Sequence, residues 1–326
     1  MMRSLTLLSL GATAVFCFAC GGSGEADTPG LNDTYPELQP PEQGVQLQTV
    51  GREIPAGGDE EWCEVAELPG EPDDVYYVGR AELAMARFSH HLIISVATGA
   101  QGDSPRLRSE PLGTPVRCPG SMVYGNDLTV LTTSSVPYSS DELPPGIGHV
   151  LHGGQRVVFD YHVRNTSDEA VRAAHRLNLH TADHIEKQAR YFGFYNQYIE
   201  IPAHSTRSFT DECVFKNDVL VWNLLRHTHR TGTAFEVSWS GAEHGGEHLW
   251  TSNDWEEDIR YRFDEPQVVP AGTGFRWTCA FDNPTGETLI FGPEATDEMC
   301  ILFGQFAAAG NDASVPPQSC YRFTPP

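Results

Sequence analysis

Basic residues are scarce in this chain. It has 21 Lys and Arg against 44 Asp and Glu, and its formal net charge is −23 with His counted as neutral. A surface this acidic repels nucleic acid and anionic lipid headgroups, so we expect no nucleic-acid partner. We interpret most of this excess of negative charge as charge that keeps the protein soluble, although such a surface would tolerate a cationic ligand.

Closely spaced cysteine pairs are absent beyond the N-terminal leader, which argues against zinc ribbons and thioredoxin-like redox sites in the rest of the chain. Of the eight cysteines, Cys17 and Cys20 lie at the end of the leader described below. An even count of the remaining six in an exported chain implies disulfides, and counting alone leaves their pairing open. These six are Cys63, Cys118, Cys213, Cys279, Cys300 and Cys320.

Long apolar runs are also lacking, apart from one at the N-terminus. Arg3 precedes a largely apolar stretch at 5–18 that is too short for a permanent membrane span, so we interpret residues 1–19 as a secretory signal. An alanine before Cys20 and two glycines after it resemble a bacterial lipoprotein cleavage site. That resemblance implies a lipidated Cys20, whereas the alternative is an ordinary signal in which Cys20 is incidental.

Residues 20–50 are rich in Gly, Pro and acidic residues and predict a flexible tether. We therefore expect an exported lipoprotein that meets the membrane only through its N-terminal lipid. It would sit at the periplasmic face or the cell surface, with the outer membrane favoured.

The remaining sequence predicts strands. A length of 326 residues suggests about two domains at ~150 residues each. Short β-branched or aromatic runs separated by Gly-Pro turns favour β-sandwiches or jelly rolls. One helix is possible around 182–190, and no internal repeat is evident, although two similar β units could share architecture. The strand-like runs are 92–96, 156–163, 219–225, 234–239 and 275–281.

Several histidines fall where strands could direct them at a metal. His227 and His229 follow an apolar run, and residues i and i+2 of a strand share a face. His90 and His91 are adjacent, so sharing one metal would require a strand end or a bulge. His162 lies in another strand-like run. Each pattern alone is more often structural than metal-binding.

A thioether and the order of these motifs narrow the choice of metal. Met299 is a poor ligand for hard ions but suits copper, above all Cu(I). A cupin site is the alternative reading of His-x-His. A cupin normally offers an acid three or four residues after the second His, and here Glu236 is the next one, seven residues beyond His229.

In this order the motifs resemble the copper type II, ascorbate-dependent monooxygenases, the family of peptidylglycine α-hydroxylating monooxygenase and dopamine β-monooxygenase. The similarity runs from about Ile54 to Cys320. The matching segments are Phe-Ser-His-His-Leu at 88–92, Pro-Gly-Ile-Gly at 145–148 leading to Tyr161-His162, Arg-His-Thr-His at 226–229, Val-Val-Pro-Ala-Gly at 268–272 leading to Cys279, and Thr-Asp-Glu-Met-Cys at 296–300.

The resemblance implies two jelly-roll-like β-sandwich domains packed side by side, at 51–183 and 184–326, each with one copper ion. His90, His91 and His162 fall at the ligand positions of the electron-transfer copper. His227, His229 and Met299 fall at those of the catalytic copper. With O₂ and ascorbate or another one-electron donor, the family inserts one oxygen atom into a C–H bond of a small organic substrate.

The same resemblance pairs Cys213 with Cys320 and Cys279 with Cys300, and by elimination Cys63 with Cys118. It also marks a departure. The positions that match the peptide-amidating enzyme's carboxylate anchors are Leu225, Ile301 and Phe303, which cannot form a bidentate clamp. We therefore expect a less polar, aromatic or amine substrate rather than a C-terminal peptide.

Two classes of function remain open. The chain is either a copper monooxygenase or a non-catalytic copper-binding or copper-sensing surface lipoprotein that kept the ligands. Retention of all six ligand positions favours the enzyme, because open coordination is a catalytic feature.

Overall fold

The structure is a computed structural model. It describes residues 38–118, 127–241, 244–253, 255, 260–292 and 296–310, and the backbone of 318–321. The signal segment, Cys20 and most of the tether lie outside the described residues. Within the described part, no helix has the length and apolar character needed to cross a bilayer.

The first half of the described chain is built almost entirely of strands. A 3₁₀ turn at Ala100–Gly102 and the one-turn helix α1 (Pro105–Arg108) are its helical segments among the described residues. The strands are β1 (Gly44–Gln48), β2 (Arg52–Ile54), β3 (Asp59–Glu67), β4 (Val75–Ala84), β5 (Ser89–Ala97), β6 (Val116–Arg117), β7 (Leu128–Ser134), β8 (Tyr138–Glu142), β9 (Ile147–His152), β10 (Arg156–Arg164), β11 (Val171–Ala173) and β12 (Arg176–Ala182).

The second half continues in the same way. The prediction of an all-β protein is confirmed, and its sheets are consistent with a β-sandwich. The strands of the second half are β13 (Lys187–Gln188), β14 (Arg190–Tyr195), β15 (Glu200–Ile201), β16 (Ser205–Val214), β17 (Val219–His227), β18 (Gly232–Ser240), β19 (His248–Ser252), β20 (Arg260–Val269), β21 (Gly274–Asn283), β22 (Leu289–Ile290), β23 (Ile301–Ala308) and β24 (Gln318–Tyr321).

Strand β21 shows why these sequences form sandwiches. Phe275, Trp277, Cys279 and Phe281 alternate with more exposed residues, so one face of the strand enters the core. Strand β10 differs because it is buried on both faces. Phe159 and Tyr161 join the large core of the first half, while Val158 packs in a small cluster around Cys63.

The two halves repeat one strand order. In the first half the sheets run β1-β12-β4-β9 and β3-β10-β5-β7, with a two-stranded β2-β11 ladder. In the second half the corresponding orders are β14-β23-β17-β20, β16-β21-β18-β19 and β15-β22. Strands β6, β8, β13 and β24 add to these common sheets.

A repeated asparagine turn joins the same strands in both halves. The Nδ2 group of Asn165 donates to the carbonyls of Ile54, Pro55 and Glu169, and its Oδ1 accepts from Ser167. The corresponding partners of Asn283 are Ile201, Pro202, Glu287 and Thr285.

The sequence carries this repeat as Glu-Ile-Pro-Ala at 53–56 and again at 200–203. Gly57 and His204 follow these segments and both adopt positive φ. No repeat was evident from the sequence alone, and the open possibility that two β units share an architecture is borne out by the strand orders. The repeat is hard to see in the sequence because it is confined to a few turn residues, while the strands between them diverge.

The possible helix at 182–190 is also wrong. Strand β13 lies here and pairs in parallel with β9, and β14 begins at Arg190. The backbone N–H groups of Glu186 and Lys187 donate to the carbonyl of Gly146, and that of Ala189 donates to Gly148. Pairing with the neighbouring strand therefore overrides the local helical preference. The five predicted strand runs lie within β5, β10, β17, β18 and β21 and are confirmed. The predicted domain boundary after 183 stays a prediction.

Candidate metal centre

A β-bulge brings three histidines of the first half together. Strand β10 pairs with β5 so that His162 faces His91, whereas Val163 faces Ser89, which leaves His90 as the extra residue. Two adjacent histidines need such a bulge if they are to share one metal ion. Phe88, the residue directly before β5 begins at Ser89, has positive φ. One ligand atom from each of His90, His91 and His162 lies within 4.8 Å of the others.

The spacing of the imidazoles fits a metal ion. The Nδ1 atoms of His90 and His91 are 3.4 Å apart. Two nitrogens bound to one ion at about 2.0–2.1 Å in tetrahedral geometry would lie about 3.3 Å apart. Burial first, and then the neighbouring His91 and His162, lowers the pKa of His90 to about 4. The ring is therefore neutral at pH 7 and can offer a nitrogen lone pair.

Acidic side chains surround this cluster. The Nε2 atom of His162 lies 2.5 Å from Oδ1 of Asp59, and Nε2 of His91 lies 3.8 Å from Oε1 of Glu61. Asp160 is buried against Glu61, and its Oδ2 has no hydrogen-bond donor among the described residues. Burial, and next the charge of Glu61, raises the pKa of Asp160 well above its usual value. A protonated Asp160 can donate to the Glu61 carboxylate.

The second histidine pair stands at the end of β17. His227 is the last residue of the strand, and the rings of His227 and His229 have centroids 5.3 Å apart. Nδ1 of His229 lies 2.9 Å from the carbonyl oxygen of Asp297. If Nδ1 carries the proton and donates it there, Nε2 is left as the lone-pair nitrogen of this ring.

Glu298 ties Met299 to this pair. One oxygen of its fully buried carboxylate accepts hydrogen bonds from the backbone N–H groups of His229 (2.9 Å) and Met299 (3.2 Å). The other oxygen accepts from the N–H and hydroxyl of Thr231. The donor set of two imidazoles and a buried thioether fits a soft ion such as Cu(I). Sequence reasoning missed Glu298, although an acid directly before a proposed ligand Met is a usable signal.

Both sets of histidines line one cavity of about 160 Å³. His90, His91 and His162 of the first half and His227 and His229 of the second half are all among its lining residues. The indole of Trp255 lies against His90 with ring centroids 4.9 Å apart. Met299 is buried and does not line the cavity.

Charges of both signs line this cavity. The first half contributes Asp59, Glu61, Asp160 and Arg164, whereas Arg226 and Arg230 of the second half flank the His227–His229 segment. Burial first, and then the charge of His229, lowers the pKa of His227 well below its usual value. His227 is therefore also neutral at pH 7.

The structure does not place the three expected substrate-wall residues on the cavity. Leu225 and Ile301 are buried, and Leu225 faces Phe303 across β17 and β23. The ring of Phe303 meets Tyr195 edge to face at 5.7 Å. A role for these residues in substrate choice would act through the shape of the cavity wall.

Two predicted disulfides are confirmed. Cys63 pairs with Cys118, and Cys279 pairs with Cys300, which anchors the chain directly after Met299. Cys213 is also disulfide-bonded. The side chain of Cys320, its expected partner, lies outside the described residues, and the backbone of Cys320 pairs with Phe194.

No known family model matches the chain, and no curated protein matches it. Among solved structures, it is similar to the major capsid protein P2 of bacteriophage PM2, at 7% identity over 82% of this chain and 99% of that one, with a TM-score of 0.32. The exported protein XepA of PBSX matches at 12% identity over 83% and 89%, with a TM-score of 0.24. Likeness at this level carries no argument about function.

Proposed function

We propose that this chain is a copper-dependent monooxygenase that hydroxylates a C–H bond of a small organic substrate, using O₂ and ascorbate or a similar one-electron donor. The observation that carries the proposal is one cavity lined by two separate histidine sets. A passive copper store needs one closed site, whereas two sites on one cavity suit a reaction that requires two electrons.

In this proposal the two halves form two jelly-roll-like sandwich domains, and each holds one of two copper ions. His90, His91 and His162 would hold the electron-transfer ion, and His227, His229 and Met299 the catalytic one. The bound ions would supply one-electron transfer and O₂ activation. The bulge already brings the three imidazoles of the first site together, and the His90 ring is neutral, so little rearrangement would accompany binding.

The chain's own contribution at the second site is to fix its donors. Glu298 holds the backbones of His229 and Met299, and the Cys279–Cys300 disulfide fixes the next residue. Burial of Met299 keeps its thioether out of bulk water. The substrate would enter the cavity between the two histidine sets, where the walls limit access of water to the reacting carbon.

Oxygen uptake with ascorbate tests this proposal. The copper-loaded mature protein, screened with phenolic, amine and aliphatic compounds, should couple O₂ consumption to hydroxylated product. Met299→Ala should abolish product formation, because it removes the thioether from the proposed ligand set while the bond from backbone residue 299 to Glu298 can remain. Met85→Ala is the matched control, since Met85 is equally buried but lies in the core of the first half.

Hydroxylation by Met299→Ala at the wild-type rate would remove Met299 from the site. Copper binding by the wild-type protein without product from any compound would instead favour the copper-binding or copper-sensing lipoprotein.

We also propose that the chain is exported and anchored through a lipid on Cys20. Expressed with its own leader, the protein should fractionate with membranes, and Cys20→Ser should release it to the soluble fraction. Cys17→Ser is the control, because Cys17 lies in the segment that signal cleavage would remove. Equal membrane association of Cys20→Ser and the wild type would contradict lipidation.

A further inference from the structure

Two carboxylates stand on the same face of β3, next to the first histidine cluster. Asp59 and Glu61 are two residues apart, so their side chains share a face of the strand. Strand β3 pairs with β10 so that Glu61 lies opposite His162 and Asp59 lies opposite Arg164. Both carboxylates line the cavity.

Each carboxylate meets the Nε2 side of a different imidazole. Asp59 Oδ1 lies 2.5 Å from Nε2 of His162, and Asp59 Oδ2 lies 3.6 Å from Nε of Arg164, which holds the carboxylate in place. Glu61 Oε1 lies 3.8 Å from Nε2 of His91. This second contact is longer than a hydrogen bond and can close with a small side-chain rotation.

A carboxylate at Nε2 decides which nitrogen can bind a metal. A carboxylate accepts and cannot donate, so the neutral ring carries its proton on Nε2 and keeps its lone pair on Nδ1. For His91 this is the atom that lies 3.4 Å from Nδ1 of His90. The carboxylates and the metal-binding geometry therefore favour the same tautomer.

The repeat within the chain shows that the fold does not demand these acids. Through the matching turns at Asn165 and Asn283, the cross-strand pair His91–His162 corresponds to the pair Ala234–Ala280. At the positions of Asp59 and Glu61 the second half has Thr206 and Ser208. The carboxylates thus occur in the half whose paired strands carry His91 and His162, while the equivalent strands of the other half fold with small hydroxyl side chains.

We propose that Asp59 and Glu61 are positioning residues of the first metal site. They accept the Nε2 protons of His162 and His91, present both Nδ1 atoms to one ion, and stabilise the ion's higher charge state. The identification of that ion as copper rests on the proposed function. The orientation of the rings would serve any divalent ion that takes three imidazoles.

A consequence is a lowered reduction potential at this site. Negative charge beside the ion favours Cu(II) over Cu(I), whereas the lining residues next to the second histidine pair in the chain are Arg226 and Arg230. If an amide variant weakens Cu(II) binding tenfold and leaves Cu(I) binding unchanged, the potential rises by about 59 mV.

The test measures Cu(II) affinity and potential in a His227→Ala/His229→Ala parent, so that the first site alone binds. In this parent, Asp59→Asn and Glu61→Gln remove one charge each and keep the side-chain shape. We expect each to weaken Cu(II) binding by roughly 10- to 100-fold and to raise the potential. Electron paramagnetic resonance should show an altered copper signal, and Asp59→Glu should recover most of the affinity.

Glu67→Gln is the matched control. Glu67 lies at the far end of β3 on the same face and pairs with Arg156, so the variant removes the same charge from the same strand. Circular dichroism confirms that each variant is folded before titration.

Unchanged affinity and potential in both amide variants would overturn the inference while leaving the proposed function intact. A loss of the same size in Glu67→Gln would also overturn it, because the effect would then be one of overall charge. If the parent itself bound no copper, the proposed function and the inference would fail together.

Discussion

The two halves of this chain share a strand order but place their candidate ligands on different strands. In the first half the histidines lie on β5 and β10, in the middle of a sheet and around a bulge. In the second half His227 ends β17, His229 lies in the turn that follows it, and Met299 lies just before β23. The repeated strand order therefore determines the cavity but not the ligand positions, since each candidate site uses strands that do not correspond in the two halves.

The shared features are those that the fold requires. Asn165 and Asn283 are both buried, and each joins the same two turns through the same set of carbonyl and hydroxyl partners. The features that differ are the ligands and the acids around them. This division separates residues needed for stability from residues needed for chemistry, and it can be tested residue by residue.

The largest effect on stability is expected from the repeated turns. Asn165→Ala and Asn283→Ala each leave buried carbonyl groups without a donor, and each should lower the free energy of unfolding by about 3 kcal/mol. The measurement is urea denaturation of the apo protein. Asn196→Ala is the control, because the side chain of Asn196 accepts from the N–H of Tyr198, and a loss of roughly 1 kcal/mol is expected.

The two large losses should agree closely if the turns are equivalent. If one variant lost several times as much unfolding free energy as the other, the two turns would share their geometry but not their contribution to stability.

Glu298→Gln should have a smaller effect, confined to the second half. The amide group of Gln would face the N–H donors of His229, Met299 or Thr231, at a cost of about 2 kcal/mol. Because these donors fix the second site, copper affinity there should also fall, by roughly 10-fold or more. Isothermal titration of Cu(I) into wild type and variant checks this, with the first site as the internal control. Unchanged affinity of the second site would separate Glu298 from ligand positioning.

The smallest effect is expected at Asp160, and its sign is opposite. The folded state raises the pKa of Asp160, so the protonated form is favoured on folding. The contribution of Asp160 to folding stability is most favourable below its pKa in the unfolded chain. That contribution is lost as the pH rises toward the higher pKa of the folded state. Asp160→Asn mimics the protonated form and should stabilise the apo protein at pH 7 by about 1 kcal/mol. The gain should shrink toward pH 4, and thermal unfolding at the two pH values measures it. A destabilised variant at pH 7 would contradict a protonated Asp160.

Much of the fold follows from the sequence because its strands alternate regularly. The β-rich runs and the requirement for a bulge at His90-His91 are confirmed. The pairing of Cys279 with Cys300, which the family resemblance implies, is also confirmed. The helix suggested at 182–190 fails because strand pairing with β9 supplies its backbone partners. The internal repeat escapes detection because it is carried by a few turn residues far apart in the chain.

The residues around the ligands could not be predicted in the same way. Asp59 and Glu61 lie about 100 residues before His162 in the chain and meet it only through the β3–β10 register. Glu298 is one of 44 acidic residues, and its position directly before Met299 is the one local signal that sets this fully buried residue apart. Long-range register therefore decides which of many acids belongs to a site. The identity of the ions, the substrate and the reductant stays a prediction.

The most direct test of the account is the number of copper ions bound per chain. It is measured in the wild type and in a variant whose first half carries the alanines that the second half has at the positions of His91 and His162. The wild-type mature protein, loaded with copper and desalted, should hold two ions. His91→Ala/His162→Ala recreates the Ala234–Ala280 pair and should hold one, with the copper–sulfur scattering from Met299 retained in X-ray absorption. A wild-type protein that holds one ion, or that takes zinc at both sites in preference to copper, would contradict the account.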